Sequence, residues 1–249
     1  MKIGIIGAMH QEVDKLIAEM HCRQQTVKGK RTFYEGSLYG KEVVLVFSRW
    51  GKVAASTTVT QLIVEFGVDC VIFSGIAGAL SSKLAIGDVV IGSKLYQHDM
   101  DASPMMPRFE IPLIGKSYFE TDKVLIETAK QSVVNLLKHE TAFVQKLQDF
   151  GVKEPKVEIG DIASGDKFVS SHLEKHTILE ALPTVLCVEM EGAAVAQVCY
   201  DFDIPFVIIR IISDTADDNA TIDFPLFLDT IASEYAHYIL KELIPKLFK

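Results

Sequence analysis

Phe206 to Ile212 reads FVIIRII, seven residues with no polar alternation and a single charge, Arg210. A run of that kind is a strand buried on both faces, and sheets covered on both sides by helices are where such strands occur. It closes on Ser213-Asp214. An acid at the carboxyl end of a buried strand stands where α/β sheets place their ligands. The preceding stretch from Thr184 carries Glu189 and Glu191 at the start of a small-residue helix, then turns through Asp203-Ile204-Pro205. Singly, Asp214 reads as a turn cap and the two glutamates as negative charge favoured at a helix start. Together with Arg210 they argue for a site.

The same alternation of strand and helix runs through the chain. Lys2 to Ile6 reads as a buried strand, turned by Gly7-Ala8-Met9 into a helix from His10 to Met20, which puts Glu12 on its first turn. Thr32 to Leu38 and Glu42 to Phe47 read as a hairpin with Tyr39-Gly40 at the turn. Ser48 to Lys52 leads into a helix from Val53 to Phe66, with Trp50 at the junction, either a core anchor or a pocket wall. Cys70 to Phe73 predicts a strand followed by a glycine turn, Ser74 to Ala79, since glycine permits tight turns and close backbone approach. Further strands are expected at Gly87 to Leu95 and Lys156 to Ala163, with helices over Thr121 to Phe150 (broken near His139), from Ser171, and from Pro225 towards the C-terminus. Five or more strands alternating with helices make α/β with a mostly parallel sheet the natural class. With 249 residues and no Pro/Gly/Ser-rich linker, residues 1–249 read as one domain.

Composition excludes several functions. The net charge of −8 is spread along the chain, which argues against a nucleic-acid partner, for which a basic face is needed. No apolar run reaches the roughly 20 residues that span a bilayer. The opening residues lack the apolar core and cleavage site of a signal peptide, and four cysteines without Cys-x-x-Cys spacing suit a reducing compartment, so a cytoplasmic protein is expected. His98, Asp99 and Asp101 are not completed by a second His or Cys cluster, so no metal is expected. Ser74 to Ala79 lacks the third glycine and the following acid of a dinucleotide fingerprint. The Met105-Met106-Pro107 patch with Phe109 packs on the core or meets a partner subunit.

KIGIIGAM followed by Glu12, GKVAA at 51–55, SGIAGAL, GDVV at 87–90, SGDKFV, VEMEG and RIISD occur in this order over nearly the whole chain. In these stretches the chain resembles the purine nucleoside phosphorylase/uridine phosphorylase superfamily, and within it the 5′-methylthioadenosine/S-adenosylhomocysteine nucleosidases. The resemblance implies a single three-layer α/β/α domain with a twisted, mostly parallel mixed sheet, hydrolysis of the N-glycosidic bond of an adenine nucleoside with a 5′-thio substituent, no cofactor, and a homodimer. It implies that Asp214 is the general acid at purine N7, and that Glu12 activates the water attacking C1′. Glu191 would bind the ribose hydroxyls with Met190 against the sugar, while Phe168 stacks on adenine and the Val169 backbone reads its edge. Ser213 and Arg210 would support Asp214 and the water. Met9, Trp50, Ile76, Ala77, Gly78, Glu189 and Phe224 would complete the substrate pocket, and the Met105 loop would reach the neighbouring subunit's site.

Departures from the family pattern lie at the 5′ end. Ile76 stands where Ser is common, Arg49-Trp50 replace Gly-Ile, and Met105 and Pro107 replace aromatic residues. Arg49 leaves a phosphorylase open, because a guanidinium could hold phosphate beside Glu12. An aminofutalosine hydrolase shares the chemistry and suits an altered 5′ pocket. A non-catalytic nucleoside-binding protein would be expected to lack Glu12, Glu191 or Asp214, and all three are present.

Overall fold

The computed structural model describes residues 1–7 and 10–248, the side chains of residues 10–12, 22, 23, 221 and 222 apart. Ten strands form one mixed sheet. They are β1 (Lys2–Gly7), β2 (His21–Lys28), β3 (Arg31–Leu38), β4 (Lys41–Phe47), β5 (Cys70–Ala79), β6 (Val89–Gln97), β7 (Phe119–Glu120), β8 (Val157–Ser164), β9 (Val185–Glu189) and β10 (Phe206–Asp214). The helices are α1 (His10–Glu19), α2 (Lys52–Val64), α3 (Lys123–His139), α4 (Thr141–Phe150), α5 (His172–Ala181), α6 (Gly192–Asp201), α7 (Ala220–Phe227) and α8 (Ser233–Leu243).

Side chains alternate across each strand, and the two faces feed two cores. Ile3 and Ile5 of β1 and Val207, Ile209 and Ile211 of β10 pack with residues of α1, α3 and α8. Ile6, Phe73, Ile208 and Ile212 pack on the other face with residues of α2 and α6. This is the expected three-layer arrangement. The sheet also closes on itself: β5 pairs with β10, β10 with β6, β6 with β8, β8 with β9, and β9 back to β5. A ring of five strands results, and β1, β4, β3 and β2 extend from β5 as an open wing.

Two expectations change, and strands appear that the sequence pattern does not announce: β2, whose sequence HCRQQTVK lacks apolar alternation, and β9, which ends on Glu189 where a helix start is expected. The glycine stretch after Phe73 is no turn; β5 runs straight through to Ala79, with Gly75 and Gly78 in register with Arg210 and Asp214. The last helical segment begins at Ala220, so Pro225 lies inside α7 rather than opening it, and a wide π turn at Leu228–Ala232 follows. A proline's missing amide and such wide turns are the usual irregularities of a helix.

Candidate active site

The carboxyl ends of β5, β9 and β10 meet at a cavity of about 390 Å³. Asp214 is its most constrained wall. The β10–β5 register slips between Ile212 and Asp214, so three residues of β10 face Ala77 and Gly78. A bulge of this kind re-aims a side chain. A Cβ on Gly78 would stand 2.7 Å from Asp214 Oδ1, so glycine there makes room for the carboxylate. Asp214 Oδ1 accepts the Ala216 N–H at 2.8 Å, and the Ser213 hydroxyl donates to Oδ2 at 2.8 Å. Asp214 is 2 % exposed. Burial pushes its acid above the ordinary range; the bonds from Ala216 and Ser213 pull down, and the charges of Asp223 and Asp217 add to the rise.

Across the cavity, Glu191 occupies the position before α6 and is buried, and its Oε1 accepts the Gly51 N–H at 2.8 Å. Glu189, at the end of β9, has both oxygens engaged: they accept the Glu191 and Gly192 N–H groups, the Ser164 hydroxyl, and Arg210 Nε and Nη2, the last at 2.7 Å. Arg210 is 1 % exposed, donates also to the Phe73 and Ile209 carbonyls, and lies over the Phe73 ring at 4.1 Å. A cation inside a buried strand requires a carboxylate, and Glu189 supplies it. The expected support of Asp214 by Arg210 is therefore replaced by a pairing with Glu189, and Arg210 does not line the cavity.

Trp50, Ile76, Ala77, Gly78, Phe168, Glu189, Met190, Ser213 and Phe224 line the cavity. Phe224 stands between the other two aromatics, edge-on to Trp50 at 6.5 Å and to Phe168 at 5.4 Å. Val169 lines a small recess beside it with Phe168, Met190 and Asp214. Glu12 is the third residue of α1, and its side chain, like the whole of Met9, lies outside the described residues. Met105 sits on the loop after β6, 87 % exposed and away from this chain's cavity.

The sequence reading missed Val188 and Pro225, which line the cavity, and the Gly51 amide. Pro225 had a signal as the neighbour of Phe224; a backbone donor leaves none beyond the glycine. Arg49 also sits elsewhere than expected. With Lys30 and Arg31 it borders a separate crevice of about 120 Å³, and its guanidinium donates to the Lys30 carbonyl. Among the described residues, no Lys, Arg or His lines the main cavity, and no cluster of His, Cys, Asp and Glu could hold a metal ion.

Residues 2–245 match the family model of the phosphorylase superfamily. A 5′-methylthioadenosine/S-adenosylhomocysteine nucleosidase of Shewanella loihica is 41% identical over 231 residues, 92% of either chain. The nucleosidase of that name from Neisseria meningitidis, solved with methylthio-immucillin-A, superposes with a TM-score of 0.86 at 38% identity over 99% of both chains. The futalosine hydrolase of Helicobacter pylori gives 0.84 at 34% identity, over 99% of this chain and 98% of its own. Matched over almost all of its length, the chain belongs to the phosphorylase superfamily and, within it, to the 5′-methylthioadenosine/S-adenosylhomocysteine nucleosidases.

Proposed function

We propose that the protein hydrolyses the N-glycosidic bond of 5′-methylthioadenosine and S-adenosylhomocysteine, releasing adenine and the 5′-thio-ribose. The observation that carries this reading is Asp214, a buried acid biased towards its protonated form, facing the same apolar cavity as Glu191. Cleavage of a glycosidic bond leaves negative charge on the base and positive charge on the sugar. A proton held at Asp214 meets the first at purine N7, and the carboxylate of Glu191, on the ribose hydroxyls, steadies the second. Phe168 provides the face on which adenine stacks, with the Val169 backbone at its edge and Met190 against the sugar. Glu12 takes the water that attacks C1′. Glu189 and Arg210 act one step removed, by fixing the backbone from which Glu191 projects.

Water rather than phosphate is favoured as the nucleophile, because the described cavity wall offers no cation to a phosphate and Arg49 faces the other crevice. Trp50 and Ile76 give the 5′ end a wall that also suits an aminofutalosine, and the likeness to the futalosine hydrolase supports keeping that substrate in the test. The remaining proposals are a single-domain cytoplasmic enzyme of methionine salvage that works as a homodimer. The dimer is supported by Met105 and Leu113, 87 % and 93 % exposed on one loop. A monomer in sedimentation at micromolar concentration refutes the dimer.

The deciding experiment is product analysis with each of the three nucleosides, with and without phosphate. Adenine and free thio-ribose without phosphate are expected. Sugar 1-phosphate formed only with phosphate makes the protein a phosphorylase, and turnover of the aminofutalosine alone moves it to that substrate.

A further inference from the structure

At the start of α2, two successive amides face carboxylates from distant parts of the chain. Gly51 N–H donates to Glu191 Oε1 at 2.8 Å, and Lys52 N–H donates to Asp166 Oδ1 at 2.7 Å. The first amides of a helix lack partners within it and lie at its positive end, so carboxylates are their natural acceptors. Gly51 has φ +89°, and a Cβ there would stand 3.0 Å from Asp166 Oδ1. Glycine at this position allows both the turn and the approach.

Asp166 is held in turn. Its N–H donates to Asp99 Oδ2 at 3.0 Å, and Asp99 Oδ1 receives Lys52 Nζ at 2.6 Å, which closes a ring of three residues. Lys52 Nζ also donates to Gln97 Oε1 at 3.1 Å, and Gln97 Nε2 reaches Gln197 Oε1, on α6, at 2.7 Å. The neighbouring residue fastens the same loop: His98 N–H donates to the Ser164 carbonyl, and the His98 ring lies so close to Gly165 that a Cβ there would meet Nε2 at 2.3 Å. Burial pushes the Asp99 acid up, but the bonds from Lys52 and Asp166 and the charge of Lys52 outweigh it, so Asp99 stays ionised.

Asp166 stands two residues before Phe168, and the amide beside Lys52 holds Glu191. We infer that Lys52, Asp99 and Asp166 form a clamp that ties the base-stacking loop 165–169 to the ribose carboxylate Glu191, so that the two halves of the pocket are positioned as one unit. The inference rests on the nucleosidase reading. None of the three touches reacting atoms; they are positioning residues. A coupled pocket has a thermodynamic signature: each fragment of the substrate tightens the other by the same factor.

The test is adenine affinity by calorimetry, with and without saturating 5-methylthioribose, in the wild type and in Asp166→Ala, Asp166→Asn and Asp99→Ala. In the wild type the sugar tightens adenine binding by about fivefold or more, as site–site coupling commonly does. Both alanine variants reduce the factor to about one, the value for uncoupled sites. Asp166→Asn keeps an oxygen acceptor for the Lys52 amide and retains most of the coupling, which loss of a merely structural contact would not predict. Asp99→Ala carries the test if Asp166→Ala does not fold. Unchanged cooperativity in a folded alanine variant, or none in the wild type, overturns the clamp. Nucleoside turnover by the same wild-type preparation separates the two ideas: cleavage without fragment cooperativity refutes the clamp alone, and adenine binding without cleavage refutes the nucleosidase reading.

Discussion

A carboxylic acid that must hand over a proton near neutral pH needs a reason to keep it, and burial is that reason at Asp214. The folded acid lies above its unfolded range, so the folded state binds the proton more tightly. Its contribution to stability is complete below the unfolded value, about 3.9 for an aspartate, and is lost as pH rises through the folded value. At neutral pH the folded protein therefore bears the cost of this buried acid. Asp214→Asn is expected to lower kcat/KM by about 10²- to 10⁴-fold and yet raise Tm at pH 7. The gain in Tm should vanish towards pH 4, roughly where the free acid also protonates. Full activity in the variant would sink the assignment of Asp214 as the acid. The position of Asp214 was legible in the sequence, as an acid ending an apolar run. Its weakened acidity was not, because that comes from burial, set against the bonds from Ala216 and Ser213, and only folding brings these together.

Among the elements, β5 and β10 decide the site. Each strand was legible as a β-branched run, but the glycines of β5 misled, because glycine signals turns as readily as close contacts. What they permit is the approach of Asp214 to the sheet. Gly78→Ala places a methyl 2.7 Å from Asp214 Oδ1 and 2.9 Å from the Ala216 Cβ, too near for either to stay in place. The variant should lose activity by about 100-fold or more, the scale of a displaced catalytic group, with circular dichroism unchanged. Wild-type kcat in Gly78→Ala would show that Asp214 need not sit where it does. The partner of Arg210 was equally hidden. One charge in a buried strand announces that a counter-charge exists, but Glu189 is brought to it across the ring, 21 residues away along the chain.

For the molecule as a whole, the layers were legible and the closure was not. Periodicity reports which residues are buried, whereas the return of β9 to β5 rests on two antiparallel pairs, Gly78 with Val188 and Ala79 with Cys187, that no local pattern encodes. The closed ring and the open wing divide the pocket between them. Asp214, Phe168 and Glu191 belong to the ring and its loops, while Trp50 and Gly51 follow β4 and Glu12 follows β1, both strands of the wing. A closed ring has no free edge from which to fray, and the wing ends at β2, an outer strand of largely polar residues. Sub-denaturing urea should therefore loosen the wing first, with its amides exchanging hydrogen for deuterium ahead of those in β5, β10 and β6. Under such conditions the side carrying Glu12 and Trp50 would come apart while the base side and Glu191 stood. The protein would pass through a state that still takes up adenine but no longer cuts a nucleoside, and loss of both together would mean that ring and wing unfold as one.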